Sequence, residues 1–279
     1  MRLGAPIRAT HSPEEWISEL KRKGYRAAYC PLDADAPDAL TAEYRQAALE
    51  NDIVIAEVGV WNNMLTPDPD MRARNLERNV RLLQLADRIG ARCCVNVSGN
   101  PTSDAEWDRY FPGYDSEATY ELVARTMQRI IDEAQPRTAC FTLECMQWML
   151  PDSTDSCERL LRDVDRERFG VHFDPVNLIN SPRRYEHNGE YIADFIARLG
   201  QRICSCHLKD VILRRERMLV HLEETPAGTG ALDYGALLSG ISALDPDMPV
   251  MLEHLPELAD YDRAAAHVRA QAAKLGIAL

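Results

Sequence analysis

No run of residues in this chain is long and apolar enough to form a bilayer-spanning helix. Its start, Met1-Arg2-Leu3-Gly4-Ala5-Pro6, lacks the apolar stretch and cleavage site of a secretory leader. The expectation is a soluble, cytoplasmic protein with no membrane partner. Positive charge is also scarce, with 32 Lys and Arg against 44 Asp and Glu, for a net charge of −12. Binding to a phosphate backbone releases counterions only where a basic face exists, so nucleic acid is not expected as a partner. Eight cysteines are present (Cys30, Cys93, Cys94, Cys140, Cys145, Cys157, Cys204 and Cys206), but none form a Cys-x-x-Cys pair. A zinc ribbon and a thioredoxin-type redox motif are thereby excluded, and free thiols in a reducing compartment are expected. No Gly-x-Gly-x-x-Gly follows an early strand, which argues against a dinucleotide fold. No linker or low-complexity segment divides the chain, so residues 1–279 read as one domain.

What is present is an alternation. Short β-rich runs fall at Arg2–Ile7, Ala27–Pro31, Ile53–Val60, Cys93–Val97, Ala139–Cys145, Gly170–Pro175, Ile203–Lys209 and Pro249–His254. Helical patterns follow them. Ser12-Pro13-Glu14-Glu15 is a helix start with its cap and Pro in the first turn, and Pro69–Gly90 carries Leu76, Val80, Leu83 and Ala86 at helical spacing. Ser116–Ala134, Tyr191–Leu199 and roughly Tyr261–Lys274 repeat the theme. Eight such units in 279 residues predict an α/β fold of the (β/α)8 TIM-barrel type. The longest irregular stretches, Ser98–Gly113, Asn177–Gly189 and Leu213–Gly230, all follow strands, where barrels place active-site loops.

Strand side chains alternate between the barrel axis and the helix layer. Bulky Phe141 and Leu143 suit the helix side, which turns Glu144 inward; Val171 and Phe173 do the same for His172 and Asp174. The same reading places His207 with Lys209, Met251 with Glu253, Asn96 with Ser98, and Glu57 on the inner face. Four consecutive strands thus end in an inward ionisable group. Three converging carboxylates repel one another unless a cation joins them, and a divalent metal held by Glu144, Asp174, His207 and Glu253 resolves this. The competing reading is a salt-bridge layer in which Lys209 neutralises one carboxylate, which accounts for one pair but not for four strand ends.

At these residues the sequence resembles the xylose isomerase-like superfamily of sugar phosphate isomerases and epimerases. The matching pieces are Thr142-Leu143-Glu144, His172-Phe173-Asp174-Pro175-Val176-Asn177, Cys206-His207-Leu208-Lys209-Asp210, Gly228-Thr229-Gly230-Ala231-Leu232-Asp233-Tyr234 and Met251-Leu252-Glu253-His254. The resemblance, to D-tagatose 3-epimerases and inosose isomerases among others, implies that the Glu, Asp, His and Glu bind Mn2+ or a similar cation (Mg2+, Co2+ or Zn2+). It implies a sugar or polyol substrate, with Glu144 and Glu253 as the catalytic groups that move a proton alpha to a metal-bound carbonyl. Many such epimerases carry His three residues after the strand-six Asp. Here that position is Asn177, which can bond a hydroxyl but cannot shuttle a proton. A lyase acting on 3-keto glycosides or inososes with the same metal cage is therefore the alternative, and Val58-Gly59-Val60-Trp61-Asn62-Asn63 is similar to a subgroup of that kind.

Asn177, Lys209, Trp61 and Asn96 are the candidate substrate contacts. Lys209 serves a substrate oxyanion or pairs with Asp174 or Glu253; Trp61 is a sugar-stacking platform or a packed loop aromatic. His172 reads as a core histidine and Glu57 as its buried structural partner. Arg183, Arg184, Arg214, Arg215 and Arg217 read as solvated surface. An abasic-site endonuclease of the same fold needs three zinc ions and more histidines than this pattern offers. A non-enzymatic binding or scaffold barrel leaves the inward charges unexplained; assembly as a homo-oligomer is compatible with the sequence.

Overall fold

The computed structural model describes residues 1–279. Its strands are β1 (Arg2–Gly4), β2 (Ala27–Tyr29), β3 (Val54–Gly59), β4 (Cys93–Asn96), β5 (Cys140–Glu144), β6 (Phe169–Phe173), β7 (Ile203–Leu208), β8 (Asp210–Leu213), β9 (Leu222–Thr225) and β10 (Pro249–Leu252). Eight of them form one parallel sheet in the order β1-β10-β7-β6-β5-β4-β3-β2, so β10 takes the eighth place in a nearly closed barrel. The seam between β1 and β2 is bridged where the Arg26 amide donates to the Leu3 carbonyl at 2.9 Å. Gly4 sits at that seam, and a Cβ there would lie 2.5 Å from the Ala27 carbonyl oxygen. This backbone approach admits only glycine.

The first helices begin and stop where the sequence marks them, whereas Asn188–Leu199 and Leu258–Lys274 each start three residues ahead of the expected Tyr191 and Tyr261. The Ser12 hydroxyl accepts from the Glu15 amide ahead of helix Pro13–Lys23, and Gly24 closes it at φ 67°. Asp68 caps Pro69–Ile89, and Gly90 ends it at φ 81°. The apolar side of that long helix, including Leu76, Leu82, Leu83 and Leu85, is buried in the main core between helices and sheet. Val80 is only half-buried. Phe173 of β6 stacks on Phe195 of helix Asn188–Leu199 with centroids 4.2 Å apart. Truncating a buried ring of this kind costs about 3–5 kcal/mol. No helix is long and apolar enough to cross a membrane.

Two details differ from the sequence reading. The stretch after the seventh barrel strand is not irregular throughout, because β8 and β9 pair antiparallel, Asp210 opposite Thr225 and Leu213 opposite Leu222. This hairpin stands outside the barrel. In addition, β4 has the opposite parity. Asn96 bonds Asn79 of the long helix, and Val97 lines the barrel mouth. The sequence Cys94-Val95-Asn96-Val97 offers no contrast of bulk between its two faces, so alternation alone leaves its sense undetermined.

Candidate metal centre and its cavity

A cavity of about 670 Å³ opens at the carboxyl ends of the strands. Its floor is built by strand termini. Glu144 ends β5, Asp174 follows β6, His207 lies in β7 and Glu253 follows β10. The residue before each of them (Leu143, Phe173, Cys206 and Leu252) is apolar and buried in the core, which fixes the inward direction. The four side chains each offer a ligand atom, and those atoms all lie within 4.8 Å of one another. A single cation with bonds of about 2.0–2.6 Å can bridge that spread.

His207 Nδ1 stands 2.9 Å from Glu253 Oε2, 3.4 Å from Glu144 Oε1 and 3.9 Å from Asp174 Oδ2. Its other nitrogen, Nε2, faces Glu57 Oε1 at 3.2 Å. Glu57 reaches across from β3, and its second oxygen meets His172 Nε2 at 2.8 Å and accepts from the Ser205 hydroxyl at 3.1 Å. A carboxylate behind a ligating imidazole fixes which nitrogen carries the proton and aims the other at the cation. Asp174 divides its oxygens. Oδ1 caps the short helix Pro175–Leu178 through the Val176 and Asn177 amides, and Oδ2 turns to the site. Lys209 Nζ is 2.6 Å from Glu253, 2.8 Å from Asp174 and 3.0 Å from Glu224. Its backbone carbonyl is held by the Tyr234 hydroxyl, and Asp210 next to it anchors the Gly228 and Leu232 amides.

These residues fit a divalent cation. Asp174 Oδ2 and His207 Nδ1 are buried and make no aligned hydrogen bond, though ionic neighbours surround both. Five carboxylates (Glu57, Glu144, Asp174, Glu224 and Glu253) gather around one lysine and the histidines, leaving negative charge in excess. Without a cation the protons compensate. Burial raises the Asp174 carboxyl to about 7, against the pull of Lys209. Burial works to lower His207, yet the carboxylates of Glu253 and Glu57 push it well above its usual value. Burial likewise opposes the charge on Glu144 and Glu253, but His207 outweighs it and both sit below the usual carboxylate range. His172 is lowered by burial and by the neighbouring His207.

The candidate substrate contacts separate. Asn177 lines the cavity and donates to Glu144 Oε1 at 3.0 Å. Lys209 lines it with all of its charge directed at carboxylates. Trp61 lines it from a left-handed backbone at φ 51°, over Gly59, where a Cβ would collide with the indole. Asn96 does not line it. Its amide nitrogen donates to Asn62 and Asn79, each at 3.0 Å, and its oxygen accepts from the Asn62 and Val97 amides. Trp107 and Trp148 also line the cavity and were not among the sequence candidates. Both lie on loops, where no strand parity points inward.

A nearly closed parallel barrel with acidic and imidazole groups converging at its carboxyl end defines a class of protein with a site at that end. The family is then shown directly: the model of the xylose isomerase-like TIM barrel matches residues 16–271, and the chain belongs to that family. No curated protein matches the sequence. Among solved structures, the chain is similar to D-psicose 3-epimerase from Clostridium cellulolyticum H10, at 13% identity over 98% of this chain and 99% of that one, with a TM-score of 0.69. It is similar to the 3-keto-D-glucoside 4-epimerase of E. coli at 15% identity, covering 97% and 99% of the two chains, with a TM-score of 0.67. A Mycobacterium smegmatis barrel of this family, solved with magnesium, is 16% identical over 96% and 91%, with a TM-score of 0.65. At these identities the likeness concerns the fold alone.

Proposed function

We propose that this protein is a divalent-metal-dependent isomerase or epimerase of sugars or sugar derivatives. The observation that carries the reading is the convergence of the buried ligand atoms of Glu144, Asp174, His207 and Glu253 within 4.8 Å of one another. Oxygen-rich donors with one imidazole suit Mn2+, with Mg2+ next. When bound, such a cation polarises a substrate carbonyl and lowers the acidity barrier of the adjacent C–H. Asp174, with one oxygen committed to a helix cap, and His207, backed by Glu57, serve as fixed ligands.

Glu144 and Glu253 carry the proton transfers. Their strands, β5 and β10, are separated in the ring by β6 and β7, so the two carboxylates approach the centre from different sides. Both are held in the ionised form, so either is ready to accept a proton. The Asn177 amide orients one and the Lys209 ammonium the other. One, ionised, takes the proton alpha to the carbonyl and is left protonated; the other first picks up a proton from solvent through the open mouth, delivers it to the opposite face and is left ionised. The fit to sugars is supported by the mixed polar floor and aromatic wall of the cavity.

The test is exchange of carbon-bound substrate hydrogen with solvent deuterium, using a panel of ketoses, inososes and 3-keto glycosides. Glu144→Gln and Glu253→Gln each lower exchange by about 10²–10⁴-fold, and metal removal abolishes it. Turnover that survives in both variants, or in metal-free protein, would falsify the mechanism. Release of an aglycone or of water instead of an isomer would assign the site to the lyase reading.

A further inference from the structure

Of the four tryptophans in the chain, three line the one cavity: Trp61, Trp107 and Trp148. They follow β3, β4 and β5, three neighbouring strands, and so occupy one side of the mouth. The ligand cluster lies toward the other side, on β5, β6, β7 and β10. The aromatic side is built rather than incidental. The Trp148 indole donates to the Asp108 carbonyl at 2.8 Å, tying the loop after β5 to the loop after β4. Trp61 is fixed by its left-handed backbone, a conformation of some cost for a bulky residue, and is still 43% exposed. A polar floor suffices for one polyol ring; so much flat apolar surface beside it is suited to a second ring.

Charge narrows the class further. No arginine lines the cavity, and the single lysine there, Lys209, is already shared among Asp174, Glu224 and Glu253. Arg183 and Arg184 line a separate surface depression with Glu190 and Asp194, and Arg214 pairs with Glu223 at 2.6 Å. His254, the other basic side chain at the mouth, is paired with Glu224 at 3.1 Å, so a phosphate or carboxylate group entering here meets Asp108 and Glu224 with no unpaired cationic side chain to receive it.

From the aromatic wall and the missing cationic clamp we infer that the substrate is an uncharged two-ring glycoside, its sugar on the carboxylate floor and its aglycone against Trp61, Trp107 and Trp148. The inference rests on the sugar-converting reading above, and binding tests it without turnover. Isothermal titration of the 279-residue protein, saturated with Mn2+, compares phenyl with methyl pyranosides of glucose, galactose and mannose in both anomers. Glucose 6-phosphate is compared with glucose. In at least one pair the phenyl compound binds about tenfold tighter or better, equivalent to roughly 1.4 kcal/mol, and the phosphate gives no gain. Trp107→Ala reduces the phenyl affinity more than the methyl affinity. Trp148→Phe, which keeps a ring on a loop that alanine would loosen, reduces it less. No phenyl advantage in any pair, or tighter binding of the 6-phosphate, overturns the inference. Phenyl preference without any solvent exchange leaves it standing and removes the proton-transfer reading; exchange without phenyl preference does the reverse.

Discussion

The two halves of the barrel end differently. The strands β5, β6, β7 and β10 terminate in Glu144, Asp174, His207 and Glu253, all buried and all facing a common centre. The strands β1 to β4 terminate in groups that mainly hold backbone. Gly4 admits the seam, the Tyr29 hydroxyl donates to the Leu252 carbonyl, Gly59 makes room for Trp61, and Asn96 joins Asn62 and Asn79. The second half concentrates costly charge, and the first half supplies rigidity and two of the three tryptophans of the aromatic wall, Trp61 and Trp107. Glu57 is the exception. It comes from the first half yet bonds His172 and His207 of the second. Ligands held within fractions of an ångström need a supporting shell, and here that shell crosses the barrel axis.

Glu57→Gln tests that crossing most severely. It removes the negative charge behind His207 while keeping the shape, and divalent-cation affinity is expected to fall about 10–100-fold, read by competition with a chelating dye. Unchanged affinity would reduce Glu57 to packing. Asn96→Ala tests the other half. It removes the donor to the Asn62 and Asn79 oxygens and the acceptor of the Asn62 and Val97 amides, at a cost of about 1–3 kcal/mol in urea unfolding, with cation affinity held within about twofold. An affinity loss as large as that of the Glu57 variant would break the division between the halves.

The mildest effect is on pH. In the metal-free protein, Asp174 titrates near 7, against 3.8 for an ordinary aspartate, because it is buried. Between those values the folded chain holds a proton that the unfolded chain releases, so this group's contribution to stability falls as pH rises through that window. A cation must displace the proton, so affinity is expected to drop by up to about tenfold between pH 7 and 6 from this group alone. Titration calorimetry in buffers of different ionisation enthalpy measures the protons released. No release at pH 6 would remove Asp174 from the coordination.

Legible in the sequence were the eight-unit alternation, the Ser12 cap and Gly90 stop of two helices, and the inward sense of β5, β6, β7 and β10. In each of those strands an apolar residue that is buried in the core adjoins the ionisable one (Leu143, Phe173, Leu208 and Leu252), and burial of the apolar face leaves the charge only one direction. Where that contrast is missing, as at Cys94-Val95-Asn96-Val97, the parity was decided by the asparagines of a distant loop and helix. The β8–β9 hairpin escaped periodicity because its strands are four residues each and β9 carries two glutamates. Only the tertiary structure brought Glu57 to the back of His207, bound Lys209 among three carboxylates, and gathered Trp61, Trp107 and Trp148 on one side of the mouth. Those relations join residues between 15 and 150 positions apart on different elements. Local pattern fixes which way a side chain points within its own strand; what it meets there depends on how the barrel closes.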